Sequence, residues 1–432
     1  MKKIMLVLAS ACLSLATCPV QAGVKIDHWV APSGAKIFFV ESHDLPMIDV
    51  QVEFPAGTVF DPAGKAGVAS LAQVMLDAGA GDLDEEKLAE SIANLGAQLA
   101  GNVDNDRAGL SVRSLSSIKE RGAALALMQT MLTRPTYPES ALSREKGRAV
   151  LALQEAETRP DAIAAKRFAA AIYPDHPYGV SPDIASVSSI TRDDLVNFHH
   201  ARYVANRAVV SIIGDVTRVE AEAIAQRLTA ELPLSSQAIN LPDITLPTAD
   251  TIRVSHPAAQ SHIYVGMPGI PRGDPDYFPL LVGNYTLGGG GFVSRLMNEV
   301  REKRGYAYSV FSYFMPRKQA GPFEIGLQTK REQAGDALKV VNEVLTGFLK
   351  SGPTAAELKA AKQNLVDGLA LRLDSNAELL GYLSLIGFYD LPVDYLDTFQ
   401  AKVNAVTASQ IRDAFARHVK PENLVTVIVA GD

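Results

Sequence analysis

The sequence has 432 residues and a formal net charge of −7, and 47% of its residues are hydrophobic. This length and composition suit two or three domains with well-packed cores, and the negative charge argues weakly against nucleic-acid binding. Both cysteines, Cys12 and Cys18, lie within the first 22 residues. The rest of the chain therefore has no disulfide, no cysteine nucleophile and no thiolate ligand for zinc.

Residues 1–22 have the pattern of a cleavable export signal. Two lysines precede an apolar run at 4–16, and small residues end at Ala22, after which we expect cleavage. The apolar run is too short to span a membrane, and no later run reaches about 18 apolar residues. A lipoprotein site at Cys18 fits less well, because a threonine precedes it. The sequence thus predicts a soluble periplasmic chain with no membrane span.

Period-two and period-3.6 patterns predict alternating strands and helices along the chain. Strands are predicted at 36–41, 48–54, 107–114, 208–213, 251–256, 262–267, 306–311, 322–328 and 424–429. Helices are predicted at 67–77, 84–95, 117–132, 139–158, 161–172, 191–203, 218–232, 277–287, 333–350, 354–373, 376–389 and 408–418. A proline-rich loop is predicted at 173–178, with Asp175 and His176 in solvent.

The two halves of the chain repeat each other. The motif around Thr191, the helix that follows and the strand ending in Gly-Asp recur around Thr407, at an offset of 216 residues at the threonines. A repeat of this length means two similar domains, since solenoid repeats span about 20–50 residues. We predict an α+β fold with domains at 23–232 and 251–432, each a mainly antiparallel sheet packed against helices. The proline-rich segment 233–250 is the predicted linker.

Four consecutive glycines at 288–291 are the most unusual stretch of the sequence. Without Cβ atoms, the chain can turn sharply there or approach another backbone closely. Phe292, Leu296 and Val300 follow at i, i+4 and i+8, which predicts a helix with one apolar face that ends near Gly305.

Arg301 and Tyr308 would lie at the end of this helix and at the start of the next strand. Both side chains could then point at one place, as two hydrogen-bond donors facing a carbonyl oxygen do. The pattern alone favours a plainer interpretation, in which Arg301 is a solvated cation at a helix end and Tyr308 a half-buried strand residue.

The segment LGGGGFVSRLMNEVREKRGYAYSV, at 287–310, resembles the second-domain signature of the zinc metallopeptidases related to insulinase, pitrilysin and the mitochondrial processing peptidase. The resemblance implies tandem α+β domains around a central chamber. It also implies that Arg301 and Tyr308 reach across this chamber from the domain without metal, bind peptide substrate and polarise the scissile carbonyl.

The metal motif of that family is absent. The family carries His-x-x-Glu-His on an early helix, whereas Ser70, Gln73 and Val74 stand at these positions here. Valine has no lone pair for zinc, and an amide cannot take a proton from water as a carboxylate does. The third ligand, a glutamate in the family, corresponds to Ala152. The nearby Glu145 is predicted to be a solvated helix residue.

No substitute for this metal site is visible in the sequence. The eight histidines include no i, i+4 pair, and no Gly-x-Ser-x-Gly motif of a serine hydrolase occurs. The glycine run lacks the Lys-Ser/Thr of a phosphate loop. We therefore expect no cofactor bound by this chain.

Three functional hypotheses remain open. The first is a non-catalytic subunit of a heterodimeric zinc peptidase. A homologous partner would carry zinc, its water and the glutamate base, while Arg301 and Tyr308 of this chain bind the peptide. The second is a peptide-binding module that acts alone or as a homodimer. The third is a structural scaffold, in which Arg301 and Tyr308 have no role.

Overall fold

A computed structural model describes residues 24–430, so the predicted export signal at 1–22 lies outside the described residues. The strands are β1 (Asp27–Val30), β2 (Lys36–Glu41), β3 (Met47–Phe54), β4 (Gly79–Ala80), β5 (Leu83–Asp84), β6 (Gln98–Val103), β7 (Ala108–Leu115), β8 (Val209–Gly214), β9 (Asp250–Ser255), β10 (Gln260–Pro268), β11 (Ala307–Phe314), β12 (Pro322–Lys330) and β13 (Val425–Ala430). The α-helices are α1 (Val68–Val74), α2 (Glu85–Leu95), α3 (Ile118–Thr133), α4 (Glu139–Ala156), α5 (Pro160–Ile172), α6 (Ile184–Ser189), α7 (Arg192–Arg202), α8 (Arg218–Thr229), α9 (Tyr277–Asn284), α10 (Ala334–Ser351), α11 (Ala355–Leu371), α12 (Asn376–Phe388), α13 (Tyr395–Ala405) and α14 (Ala408–His418). None of the helices between residues 24 and 430 is long and apolar enough to cross a membrane.

The longer strands form two sheets of similar design. The first has the order β1-β2-β8-β3-β7-β6, and all its pairs are antiparallel except β2 with β8. The second has the order β11-β12-β10-β13-β9, and all its pairs are antiparallel except β13 with β9. Helices pack against both sheets. The predicted α+β class with mainly antiparallel sheets is confirmed.

The internal repeat of the sequence corresponds to a repeat of structure. Thr191 and Thr407 each begin a helix, α7 and α14, with a reciprocal capping box. The strands that follow these helices, β8 and β13, make the parallel pair of each sheet. Between the two halves, residues 233–249 form no regular secondary structure, and β9 begins at Asp250.

Several short elements were not predicted from the sequence: β1, β4, β5, β6, α6 and α13. Strand β6 shows why. Its sequence, QLAGNV, lacks a clear alternation of apolar and polar residues, and it forms a strand by pairing along β7. Whether a segment forms a strand depends on the strand it pairs with as well as on its own sequence.

Each sheet is covered on one face by a helix from the other half of the chain. Helix α12 packs on β2, β3 and β8 of the first sheet, and Phe38 and Val209 of that sheet belong to the core of the second half. Helix α5 packs on β10 and β13 of the second sheet, where Phe168 clusters with Val427. Because close-packed cores resist deformation, this exchange fixes how the two halves lie against each other.

A buried polar network joins the halves at the turn between β6 and β7. The Asp106 carboxylate accepts hydrogen bonds from the Tyr389 hydroxyl and the Lys318 backbone N–H, both at 2.8 Å. The adjacent Arg107 donates to Glu53, which is 1% exposed, at 3.0 Å. The Arg107–Glu53 pair lies within the first half, and the Ser384 hydroxyl of α12 joins it to the second half, since it accepts a hydrogen bond from Arg107 at 2.9 Å and donates one to Glu53. Removing one partner of the buried pair would leave an uncompensated charge at this junction.

The contact between α12 and the first sheet predicts the effect of a single methyl group. A Cβ on Gly387 would lie 2.6 Å from the side chains of both Phe38 and Val209. We expect Gly387→Ala to lower the free energy of unfolding by about 1–3 kcal/mol, measured by chemical denaturation, because overpacking displaces the helix.

The control lies in the same helix. A Cβ on Gly381 meets nothing within 4 Å. Gly381→Ala should therefore leave stability unchanged or raise it by up to about 1 kcal/mol. Equal effects of the two substitutions would contradict the packing described for α12.

Candidate functional site

The glycine run both turns the chain and lets it approach β11. A Cβ on Gly288 would lie 2.5 Å from the backbone nitrogen of Ser312, and Gly291 has a φ of 60°. The Asn284 side chain donates to the Ser312 carbonyl at 2.8 Å and accepts from the Ser312 hydroxyl at 2.6 Å. This reciprocal pair holds the glycine turn against the strand.

The helix after the glycines is shorter than predicted and is wound differently. Residues Met297–Glu302 form a π-helix, a rare conformation that is frequent at functional sites. Leu296 and Val300 are buried as predicted, but Phe292 lies outside the helix and is 65% exposed. The predicted apolar face is therefore wrong at Phe292, because the glycine turn ends after that residue.

Arg295, six residues before Arg301, anchors this segment of the chain. Its guanidinium donates two 2.7 Å hydrogen bonds to the Glu357 carboxylate on α11. These hydrogen bonds lower the pKa of Glu357 to about 2. The bidentate pair fixes the start of the π-helix segment against the helical layer.

Arg301 and Tyr308 lie next to each other, as predicted from their spacing. The Arg301 Cζ atom is 5.0 Å from the centre of the Tyr308 ring and 4.8 Å from the centre of the Phe292 ring. Two cation–π contacts therefore hold the guanidinium in place. Its ion pair with Glu302, at 3.6 Å, is partly exposed and contributes little.

A β-bulge presents Tyr308 to solvent. Ala307 pairs with Thr329 and Ser309 with Gln328, so Tyr308 has no pairing partner in the ladder between β11 and β12. Bulges commonly re-aim a side chain in this way. Tyr308 is 79% exposed, and β11 is an edge strand of its sheet. The donors of Arg301 and Tyr308 thus lie at an open sheet edge, whereas the plainer interpretation expected a half-buried tyrosine.

The degenerate metal positions lie on two helices that touch. Ser70, Gln73 and Val74 belong to α1 and Ala152 to α4. Val74 is 45% exposed, whereas Gln73 is 8% exposed and its amide packs against the backbone of β6. None of these four side chains is a zinc ligand of the usual kinds. Glu145, expected in solvent, instead pairs with two arginines of its own helix and is 12% exposed.

One group of side chains in residues 24–430 has the spacing of a metal site. Asp274, Asp276 and His418 have ligand atoms within 4.8 Å of one another. Arg417, however, already makes two 2.7 Å hydrogen bonds to Asp276 and thereby lowers the pKa of that carboxyl. The Arg417 guanidinium therefore already supplies a positive charge to this group. Sequence reasoning missed it because the aspartates and the histidine are far apart in the chain.

The two-sheet fold, the arginine–tyrosine pair and the substituted ligand positions define a metallopeptidase-like chain without the zinc motif. Comparison with known proteins agrees. Residues 37–181 match the family model described as Insulinase (Peptidase family M16), and residues 189–365 match the model described as Peptidase M16 inactive domain.

A solved structure described as the peptidase M16 inactive domain from Pseudomonas fluorescens is 36% identical, with a TM-score of 0.91, and the match covers 94% of this chain and 98% of that one. A relative described as the non-peptidase homolog YmxG of Helicobacter pylori is 25% identical over 91% of both chains. The periplasmic protease PqqL of Escherichia coli shares the fold at 18% identity and a TM-score of 0.79, with 100% of this chain covering 49% of that one. The chain belongs to peptidase family M16, and these findings fit a non-catalytic member.

The assignment of the ligand positions can be tested by rebuilding them. A histidine pair at i, i+4 and a glutamate from a neighbouring helix supply three zinc ligands. We expect the triple variant Ser70→His, Val74→His, Ala152→Glu to retain about one zinc ion per chain more than the wild type, measured by metal analysis after dialysis.

The single variant Ser70→His is the control and should retain no more zinc than the wild type, because one added imidazole does not make a site. A triple variant that folds and still retains no additional zinc would show that these positions do not face one another.

Proposed function

We propose that this chain is the non-catalytic subunit of a heterodimeric zinc peptidase of the periplasm. A homologous partner supplies zinc, its bound water and the glutamate base. This chain supplies Arg301 and Tyr308, which bind the peptide and polarise the scissile carbonyl in a chamber formed by both subunits.

The observation that carries this proposal is the contrast between the two halves of the chain. In the first half, the positions for zinc ligands hold Ser70, Val74 and Ala152, none of which is a usual zinc ligand. In the second half, Arg301 and Tyr308 are adjacent and accessible, and a turn of four glycines and a bulge position them. A chain that keeps the substrate-binding pair without the metal needs a second chain for the chemistry.

The length of a relative supports the same conclusion. The periplasmic protease PqqL covers this chain with about half of its own length. A complete peptidase of this fold can thus contain two units of the size of this chain. In our proposal the second unit is a separate subunit. The export signal predicted at residues 1–22 suits the periplasm, where such a partner would meet it.

In this proposal, the chain contributes electrostatic stabilisation of the transition state. As hydroxide attacks the peptide carbonyl, its oxygen gains negative charge, and donors placed at that oxygen stabilise the transition state by about 3 kcal/mol each. The rings of Phe292 and Tyr308 restrict the Arg301 guanidinium, which offers planar N–H donors. The Tyr308 hydroxyl adds a further donor.

The proposal is tested by peptide cleavage and zinc content of the two subunits, apart and mixed. The partner candidate is a co-purifying family member with His-x-x-Glu-His. We expect this chain alone to hold no catalytic zinc and cut no peptide, and the mixture to cut peptide in a chelator-sensitive manner. A mixture containing Arg301→Ala should be about 10²–10³-fold slower, because it loses one donor at the oxyanion.

Arg304→Gln is the matched control, since Arg304 lies three residues away and pairs with Glu299. That variant should retain cleavage. Chelator-sensitive cleavage by this chain alone would refute the proposed division of labour. A mixture that shows no cleavage would favour a peptide-binding or scaffold role instead.

A further inference from the structure

A second polar site lies at the far end of β11 from Tyr308. Three segments meet there: the turn between β6 and β7, the chain that follows β10, and the connection from β11 to β12. They enclose a cavity of about 450 Å³, within the usual range for ligand pockets. We call it the arginine cavity, because Arg107, Arg272 and Arg317 line it.

Backbone hydrogen bonds hold two of these arginines side by side. The backbone N–H of Arg272 donates to the Arg317 carbonyl at 2.7 Å, and the Gly321 N–H donates to the Ile270 carbonyl at 3.0 Å. Pro271 and Arg317 form a parallel bridge. Backbone hydrogen bonds between the two connecting segments therefore set the positions of Arg272 and Arg317.

Both guanidinium groups have a buried donor without a partner. The Nε atom of Arg272 and the Nη1 atom of Arg317 are buried, and no described residue accepts a hydrogen bond from either atom. A buried donor without an acceptor costs about 1–3 kcal/mol, and more when it is charged. Aromatic rings fix the two groups without supplying that acceptor, since Arg272 lies 5.4 Å from the Tyr389 ring and Arg317 lies 4.8 Å from the Tyr178 ring.

The acidic residues of the cavity wall are already engaged. Asp106 accepts hydrogen bonds from two tyrosine hydroxyls and a backbone N–H. Asp104 pairs with Arg107, which also pairs with Glu53. Glu324 on β12 does not line the cavity; burial raises its pKa, and the charge of Arg317 opposes this rise. Arg272 and Arg317 thus bring positive charge to the cavity that these pairs do not neutralise.

We propose that the arginine cavity binds the free carboxylate at the C-terminus of a peptide, held between Arg272 and Arg317. Guanidinium groups bind carboxylates with charge-assisted and often bidentate hydrogen bonds. The cavity wall also contains Tyr277, Tyr313 and Leu281, which suit the side chain of a terminal residue.

The position of the cavity gives a length for the bound segment; this step rests on the proposed function. Tyr308 begins the exposed face of β11, and Tyr313, five residues on, lines the cavity. At about 3.4 Å per residue, the two lie about 17 Å apart along the strand. A peptide cut at Arg301 and Tyr308 would place its carboxylate in the cavity with about five residues after the scissile bond.

The test measures binding to this chain alone, without a zinc-bearing partner. Two N-acetylated peptides of one sequence, one ending in a carboxylate and one in an amide, are titrated by calorimetry, and inorganic phosphate serves as a second anion. We expect the acid to bind at least about 10-fold more tightly than the amide, equivalent to one charge-assisted hydrogen bond. Arg272→Gln and Arg317→Gln should each remove this preference.

Arg148→Gln, a substitution at an exposed arginine of α4, is the control and should retain the preference. Equal affinity for acid and amide in the wild type would overturn the proposal, even if the arginine variants failed to fold. Tight phosphate binding that the peptide acid does not displace would also overturn it. Cleavage on mixing is measured separately, so its failure would count against the proposed function and not against this site.

Discussion

The exchange of helices between the two halves is the constraint on which the rest of the structure depends. Helix α12 fills one face of the first sheet and α5 one face of the second, so neither sheet has a complete core without the other half. Asp106 and Arg107 close the same junction with hydrogen bonds to Lys318 and Ser384 of the second half. Because packed cores do not deform continuously, the glycine turn, β11 and the arginine cavity keep fixed positions relative to α1.

This rigid frame explains how Arg301 and Tyr308, the pair that we propose binds substrate, can lie on an exposed edge. The Phe292 and Tyr308 rings hold the Arg301 guanidinium, and the Asn284–Ser312 pair fixes the glycine turn against β11. In our proposal this pair acts on a substrate in a shared chamber, so it has to stay open on one side. The residues that support Arg301 and Tyr308, and not burial, therefore fix the positions of these two side chains. Loss of the zinc ligands on α1 and α4 leaves this half of the site intact.

Local features of the sequence predicted much of the fold. The helix predicted at 84–95 is α2, which Asp84 caps and Gly96 ends in the left-handed region, as these residue types commonly do. The spacing of Arg301 and Tyr308 allowed both side chains to point at one place, and the structure brings them together. Long-range features were not predictable in this way. His176 was expected in solvent but is 3% exposed, because its loop packs in the cluster under α5. The bulge at Tyr308, the helix exchange and the pairing of Arg272 with Arg317 all depend on partners distant in sequence, which local periodicity does not encode.

In the proposed complex, Tyr308 of this chain acts on a substrate bound at another subunit's zinc. The most direct test is kcat and KM for peptide cleavage by the mixed subunits, with Tyr308→Phe compared with Tyr382→Phe, a half-buried tyrosine on α12. We predict that Tyr308→Phe lowers kcat by about 10²-fold or more while the complex stays intact, because only the transition state loses a donor. An unchanged kcat in an intact complex, equal to that of Tyr382→Phe, would contradict it.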